Sequence, residues 1–421
     1  MNKLLVPNEL VPIVSALLKD YTFMSDGRND TTCFSRKGKI GFTNLMMFML
    51  NFLNKSCQQE LNDFFKVIGC EKNTVTQQAF SQARQKVKAE AFIKLLQVST
   101  QTMSSVDDLT LFKSYRISAI DGSSLELENT QELHSYFGVS GNGGRAVTAR
   151  ASILYDGLND TIIDAKIVPY SCGERELAKQ HIDALCLLDL HNDLIIFDRG
   201  YPSSELIAYS INRKIHFLMR VPSSFNRDIN AVSSSFGKVT ITYEDKKHDV
   251  NVIKFPLPSG EIETLITDIN DQDFTLEEWK KLYFMRWPVE TKFDQLKNKL
   301  QLENFSGKTV LAVTQDFYAS MFLLNVVASF KYVSDAQIEN KNKLTDNKLE
   351  YQTNVNQMIG VLKNDLICIF IQRNPFKRQR MFNKLIAAIS NNKSSIRPNR
   401  QLPRSKIPSR LKHPFNAKST L

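Results

Sequence analysis

An α/β protein, with helical regions on either side of a strand-rich middle, is predicted by two changes of hydrophobic period along the 421-residue chain. Apolar residues recur at helical spacing through the first hundred residues, alternate from about Ser114, and return to helical spacing after Thr275. With 42% of residues hydrophobic, the chain can bury a sizeable core and divide into two or three domains.

In the N-terminal part, Phe42, Leu45, Met46, Met49, Phe52 and Leu53 share one helical face, as do Phe80, Ala83, Val87, Ala91 and Leu95. Residues 1–108 therefore read as an all-α domain. The polar side of TVTQQAFSQARQKVK carries Gln77, Gln78, Gln82, Arg84, Gln85 and Lys88, side chains able to reach base edges and phosphates. A solvated helix face has the same composition.

The middle begins with the strand YRISAIDGSSLEL, followed by RAVTARASILYD and TIIDAKIVPY, the last two joined by a Gly157-Leu158-Asn159-Asp160 turn. Glu174 to Leu188 is helical by the spacing of Leu177, Ile182, Leu185 and Leu188. A buried strand at Asp193 to Phe197 and a helix after Pro202 follow. Strand, strand, strand, helix, strand, helix is the order of a ribonuclease-H-like domain, here over residues 109–214. Four short strands between Ile215 and Ile269 form a β-rich insertion, residues 215–272, because strong helical spacing resumes in TLEEWKKLYFMRW. Residues 273–335 then complete the interrupted domain, 336–390 form a helical C-terminal region, and 391–421 form a basic, flexible tail with eight Lys or Arg and no acid.

A formal net charge of +10 favours a polyanionic partner, since clustered cations release condensed counterions from phosphates. The apolar runs Asn44 to Leu53 and Ala319 to Phe330 are too short for a bilayer span. The start MNKLLVPNELV lacks the pattern of an export signal, so a cytoplasmic location without a membrane partner is expected. Cys33, Cys57, Cys70, Cys172, Cys186 and Cys368 have no spacing that makes a zinc site, and read as reduced thiols.

Three acids stand out. Asp121 follows the alternating residues Arg116 to Ile120, which places its carboxylate at a strand end, although Asp-Gly is also a common turn pair. Asp198 closes the apolar run Leu194 to Phe197. Glu290 sits in the first turn of a helix opened by Pro288 and running through Leu300, with Asp294 and Lys297 on the same face. A Glu and Lys salt-bridge stripe would look alike. Phosphodiester displacement by two divalent metals about 3.5 to 4 Å apart needs shared acidic oxygens from separate elements, which two strand ends and a helix supply. Magnesium takes few carboxylates and keeps its waters, so no dense ligand motif is required.

Tyr283, Arg286, Glu290 and Lys297, separated by two, three and six residues, reproduce the Tyr-Arg-Glu-Lys signature of a large branch of bacterial insertion-sequence DDE transposases. The segments AIDGSS, FDRGYPS and RWPVETKFDQLKNKLQLENFSG resemble that family's motifs, and TQQAFSQAR resembles its N-terminal DNA-binding region. The resemblance implies that Asp121, Asp198 and Glu290 hold Mg²⁺, with Mn²⁺ as a substitute. It implies that Tyr283 and Arg286 touch phosphates near the transferred strand end, with Lys297 on the glutamate helix and Trp287 stacking near the terminal bases. It further implies cut-and-paste movement through a hairpin, double-stranded DNA with terminal inverted repeats and a target DNA as partners, and a homodimer in the DNA complex. Pro288 departs from the family, whose members often carry a residue compatible with a continuous helix, and so predicts an angle between the Tyr283 and Glu290 segments. Asp294 is the rival acid on the same face. Two other readings stay open: a stand-alone metal-dependent endonuclease, and a transposase-derived DNA-binding protein without catalysis.

Overall fold

A computed structural model describes residues 2–36, 38–51, 55–141, 146–188, 192–257, 259–270, 274–294, 297, 302–343 and 349–396. Phe52 and Leu53, the end of the glutamate helix at Leu300, the side chain of Asp294 and the tail beyond residue 396 lie outside the described residues. In chain order the helices are α1 (Val6–Leu17), α2 (Tyr21–Gly27), α3 (Phe42–Met49), α4 (Cys57–Val67), α5 (Gln77–Arg84), α6 (Glu90–Ser104) and α7 (Gln131–Phe137). After these come α8 (Glu174–Cys186), α9 (Ser204–Asn212), α10 (Arg227–Ala231), α11 (Leu276–Phe284), α12 (Trp287–Asp294), α13 (Val310–Lys343), α14 (Val355–Ile371) and α15 (Pro375–Asn391). The strands are β1 (Arg116–Glu126), β2 (Thr148–Asp156), β3 (Thr161–Pro169), β4 (Asp193–Phe197), β5 (His216–Arg220), β6 (Phe236–Tyr243), β7 (Lys246–Pro256), β8 (Ile262–Thr267), β9 (Tyr351–Thr353) and β10 (Lys393–Ser395). The mixed α/β character expected from the sequence is present.

Two compact units divide the chain: unit 1 comprises 1–108, 126–147 and 296–421, and unit 2 comprises 109–125 and 148–295. Unit 2 is built on an eight-stranded sheet of order β3-β2-β1-β4-β5-β8-β7-β6. β4 runs parallel to both β1 and β5, whereas β8, β7 and β6 continue the sheet as an antiparallel meander. The stretch read from sequence as an insertion thus divides. His216–Arg220 is an inner strand beside β4, and the remaining three strands lengthen the same sheet instead of forming a separate body. Sequence alternation marks a strand but carries no information about which strand it pairs with.

Alternation along the strands loads both sheet faces. Ile120, Ile195, Phe197 and Phe217 face a core that also holds Ala178, Ile182 and Leu185 of α8 with Leu206 and Ile207 of α9. Ile117, Leu194, Ile196 and Leu218 face a second core, closed by Trp279, Leu282 and Tyr283 of α11. Between β1 and β4 lies a buried ion pair: Arg116, 0% exposed, donates from Nε to Asp193 Oδ1 at 2.5 Å and from Nη2 to Oδ2 at 3.0 Å. This two-point contact joins residues that are also register partners.

Unit 1 is helical around α13, whose Phe317, Phe322, Leu324 and Phe330 are buried. By length and composition α13 could cross a membrane, but most of its apolar stretch is buried within the protein, as in a core helix. Asn325 of α13 donates to Ser99 Oγ of α6 at 3.0 Å. Arg84, expected on a polar nucleic-acid-facing side of α5, is 4% exposed and points inward. Its guanidinium donates to Gln315 Oε1 at 3.0 Å, Ser306 Oγ at 2.8 Å, the Ala312 carbonyl at 3.0 Å and Asp316 Oδ1 at 2.8 Å. Helical spacing alone cannot separate a surface Arg from one whose donors are claimed by a neighbouring helix. Gln77, Gln78, Gln82 and Gln85 are exposed, and half-buried Lys88 donates to the Asp26 carbonyl at 3.2 Å. The segment from Asn391, read as tail, first forms β10, which pairs antiparallel with β9. All six cysteines are free thiols.

Breaking a buried pair by removing one partner leaves an uncompensated charge and costs roughly 3–5 kcal/mol. Arg116→Leu is therefore expected to lower the urea midpoint by that equivalent. The double variant Arg116→Leu/Asp193→Leu should recover most of the stability. A single variant as stable as the wild type would show that the pair does not hold β1 to β4.

Candidate active site

The register of β1 against β4 decides where two of the three acids lie. Arg116 pairs with Asp193 and Ala119 with Ile196, and the same offset carried two residues further sets Asp121 opposite Asp198. Asp121 lies inside β1 and not at its end, as the sequence suggested: β1 continues to Glu126, and the strand that stops is β4, at Phe197. The Asp-Gly turn preference is overridden because β2 lies along the other side of β1, where the Ser152 hydroxyl donates to the Asp121 carbonyl at 3.3 Å. Ile117 and Ala119 precede Asp121 at intervals of two, as Leu194 and Ile196 precede Asp198. Both carboxylates therefore emerge on the face covered by α11.

Helix α11 is started by a capping box between Thr275 and Glu278 and ends at Phe284. A new helix, α12, begins at Trp287 with Pro288 in its first turn, so Tyr283 and Glu290 stand on two consecutive helices, as Pro288 predicted. Tyr283 donates its hydroxyl to Asp198 Oδ1 at 3.3 Å. Arg286, in the link between the helices, donates from Nη2 to Glu290 Oε1 at 2.7 Å, and its guanidinium lies 5.1 Å from the centre of the Trp287 ring. Arg286 is 5% exposed, and its Nε is buried without a hydrogen-bond partner among the described residues. Trp287 is 42% exposed, which leaves ring surface open for stacking.

Two contacts that sequence reasoning missed hold α12 in place. Lys292, 2% exposed, pairs with Asp160 Oδ1 at 2.5 Å, and the Tyr155 hydroxyl donates to the same oxygen at 2.6 Å. Pro288 rests on the turn joining β2 and β3: a Cβ at Gly157 would lie 3.1 Å from Pro288 Cβ, closer than an ordinary contact. The GLND turn was legible, but its role as the seat of the glutamate helix was not. The only sequence signal for Lys292 is its place between Val289 and Phe293 on the buried face.

Electrostatics shows the acids acting on one another. Burial pushes the Asp121 carboxyl up to about 6; the charges of Glu290 and Asp198 add to the rise, while the Gly122 N–H and the Arg286 charge oppose it. The Tyr283 hydroxyl is raised by burial and then by the Asp198 charge. Burial alone would lower the Arg286 guanidinium, but its hydrogen bond to Glu290 and the charges of Asp198, Tyr283 and Glu290 outweigh that and raise it. Among the described residues no three Asp, Glu, His or Cys side chains close on a single point as metal ligands. The donors offered by Asp121, Asp198 and Glu290 are nonetheless all anionic oxygens, the chemistry a hard divalent cation requires.

A fourth acid, Glu174, was also missed. It is the first residue of α8 and pairs with Arg150 at 3.1 Å. A Cβ at Gly122 would stand 3.6 Å from its Oε1, and one at Gly200 would stand 3.6 Å from its Oε2. Glu174 therefore lies against the residue after Asp121 and the second residue after Asp198, which only folding brings together. Behind Asp121, His181 bonds Asp164 Oδ2 at 2.8 Å through Nδ1 and Ser152 Oγ at 2.9 Å through Nε2. This Ser, His and Asp row is sealed, with Ser152 1% and His181 0% exposed, so it braces the Asp121 backbone and offers no nucleophile to substrate. Lys297 belongs to unit 1, where its Nζ lies 3.6 Å from Glu303 Oε1.

The layout is that of a carboxylate site at the centre of a mixed sheet. A family model described as "Transposase DDE domain" matches residues 112–326, a span that contains Asp121, Asp198, Tyr283, Arg286, Glu290 and Lys297, and the chain belongs to that family. Among solved structures, the chain is similar to a piggyBac transposase synaptic complex with hairpin DNA. The identity is 10% and the TM-score 0.46, over 90% of this chain and 85% of that one. No curated protein sequence matches.

The raised Asp121 carboxyl has a consequence for stability. Its native pKa of about 6 lies above the ordinary 3.8. Between these values the native state binds more protons than the unfolded chain, so this group's contribution to stability falls as pH rises through the window. Asp121→Asn is expected to melt higher than the wild type at neutral pH in chelator-treated buffer, with the two melting temperatures converging as pH falls towards about 4. A difference independent of pH would show that Asp121 carries no such strain.

Proposed function

We propose that the protein is a DNA transposase of the bacterial insertion-sequence branch bearing the Tyr-Arg-Glu-Lys signature, and that unit 2 is its ribonuclease-H-like catalytic core. The observation that carries the reading is the parallel register of β1 on β4, which continued two residues past Ala119 and Ile196 sets Asp121 level with Asp198, together with the bonds of Tyr283 to Asp198 and of Arg286 to Glu290. Membership of the transposase DDE family supports it. Asp121, Asp198 and Glu290 would hold Mg²⁺, or Mn²⁺ in its place, which when bound lowers the pKa of attacking water and stabilises the charge of the leaving oxygen.

The chain's own residues do the positioning. Tyr283 orients Asp198 through its hydroxyl, and Arg286 holds Glu290 while keeping a buried Nε–H available for a phosphate oxygen. Trp287 offers a face to a terminal base, a contact worth roughly 1–3 kcal/mol where it forms. The Pro288 and Lys292 anchors fix the distance of Glu290 from the sheet. In the reaction so read, water cuts the element end, and the freed 3′-hydroxyl then attacks a second phosphodiester in cut-and-paste transposition. The DNA partners are the terminal inverted repeats, engaged by a homodimer, and the target. The exposed Gln77, Gln78 and Gln82 of α5, with Gln85 just after it, supply groove contacts from the N-terminal helices, which act in the bacterial cytoplasm on the nucleoid.

A supercoiled plasmid carrying the coding segment and both flanking ends, incubated with Mg²⁺ or Mn²⁺, tests this reading. The wild type is expected to release the element with 3′-hydroxyl or hairpin ends, and Glu290→Ala to bind the ends yet cut at least ~10²-fold more slowly. Binding by both proteins without cutting by either would replace the transposase with a DNA-binding protein lacking catalysis. Cutting without any joined product would leave an endonuclease.

A further inference from the structure

The basic character of the protein is concentrated at one end. Thirteen of the 54 Lys and Arg residues, and none of the 44 acids, lie after Asp365, which leaves the first 365 residues with a formal charge of −3. Within the described part of that end, α15 is a two-sided helix. Phe382, Leu385, Ile386 and Ile389 are buried, and Phe382 packs on Phe330 of α13 at 5.3 Å between ring centres. On the other side Lys377, Arg380 and Lys384 are exposed, at steps of three and four residues, so they form one stripe about 10 Å long, and exposed Arg373 lies just before the helix, in its link from α14. Phe376, beside the stripe, is 82% exposed. Among the described residues no carboxylate forms an ion pair with any of these four cations.

We propose that this stripe on α15, with Arg373, Arg378 and Lys19 at its edge, is a phosphate-tracking surface for double-stranded DNA, additional to the contacts made around the acidic site.

Three features favour DNA over other anionic partners. Phe382, Leu385, Ile386 and Ile389 of α15 are committed to the core of unit 1, which leaves Phe376 alone among its large apolar side chains exposed, less than the apolar face a helix needs to sink into a lipid surface. The cations recur at even intervals along a straight element held by its own packing, which suits a regular row of phosphates better than a single acidic group. The cluster also has an unmet demand for negative charge. Lys19 donates to Ser15 Oγ at 2.9 Å and approaches the Phe370 carbonyl at 3.5 Å. Burial, followed by the charges of Arg373 and Arg378, holds its ammonium below the ordinary lysine range. Like charges gathered without a carboxylate destabilise one another until an anion arrives.

This inference rests on the DNA reading of the acidic site, and its test separates the two. Binding of the full chain to a short random-sequence DNA duplex is followed by fluorescence anisotropy over a salt series. Removing one cation that neutralises a phosphate makes the slope of log K against log salt shallower by about 0.9. The variant Arg373→Gln/Lys377→Gln/Arg380→Gln/Lys384→Gln is expected to show a slope shallower by about 3 to 4, and Lys377→Gln alone one shallower by about 0.9. Exchanging Arg and Lys at the four positions should leave the slope as it is. An unchanged slope in the glutamine variant overturns the surface, even if the wild type still cuts the plasmid. Weakened binding to anionic phospholipid vesicles alongside an unchanged DNA slope overturns it in favour of lipid. A wild type whose slope depends on the stripe but which never cuts leaves the surface standing and removes the catalytic reading.

Discussion

The two-point contact between Arg116 and Asp193 is the constraint on which the site's geometry depends. Parallel strands can slip by a residue at little backbone cost, and a one-residue slip turns every side chain to the opposite face. Here a slip would separate a guanidinium from its carboxylate at a place where both are buried from solvent. Asp121 and Asp198 each lie five residues beyond that pair, on strands whose register the pair selects. The ion pair touches neither catalytic candidate, yet it secures the register in which both face the same helix.

A second set of buried charges does for the glutamate what the first does for the aspartates. Lys292 has little exposure and one carboxylate partner, so α12 cannot rotate about its axis without stranding an ammonium. Pro288 on Gly157 fixes the other end of the same short helix. The turn between β2 and β3 thereby acts as a seat, and the sheet that positions Asp121 also determines the reach of Glu290. Acids on separate elements can be held near one another despite mutual repulsion only where the scaffold is stiffer than the repulsion is strong. The raised Asp121 carboxyl reflects first its burial in that scaffold and then the nearby charges of Glu290 and Asp198.

Much of this was readable from sequence because its signals are local. Asp193–Phe197 is a strand with the bounds its apolar run gave, Glu174 opens α8 where the helical spacing began, and Pro288 divides the helices as its missing N–H dictates. The spacing of Tyr283, Arg286 and Glu290 is likewise local, and two of the contacts found, Tyr283 to Asp198 and Arg286 to Glu290, use residues the spacing named. What was not readable depends on pairing over long separations. His216–Arg220 was assigned to an insertion because its place beside β4 is decided by pairing and not by its own pattern. Arg84 looked like a surface cation because its partners, Ser306, Ala312, Gln315 and Asp316, are more than two hundred residues distant. Glu174 and Lys292 carry no motif at all; their roles arise from what the fold sets beside them.

The division of charge along the chain follows from the same physics. A site that must concentrate carboxylates cannot also be ringed with spare cations, because each would collapse into an ion pair, as Arg286 does with Glu290 and Lys292 with Asp160. Attraction of a polyanion must then come from residues that no acid can reach in sequence or in the fold. The stretch after Asp365 meets that condition by containing no acid, and α15 exposes three of its cations, Lys377, Arg380 and Lys384, on a helix whose other side is committed to the core. Such cations keep their full charge for an anionic partner, whereas Arg286 and Lys292 are each held by a carboxylate. A chain of net charge +10 whose first 365 residues are slightly acidic thus keeps its sheet of acids and its excess of positive charge on separate stretches.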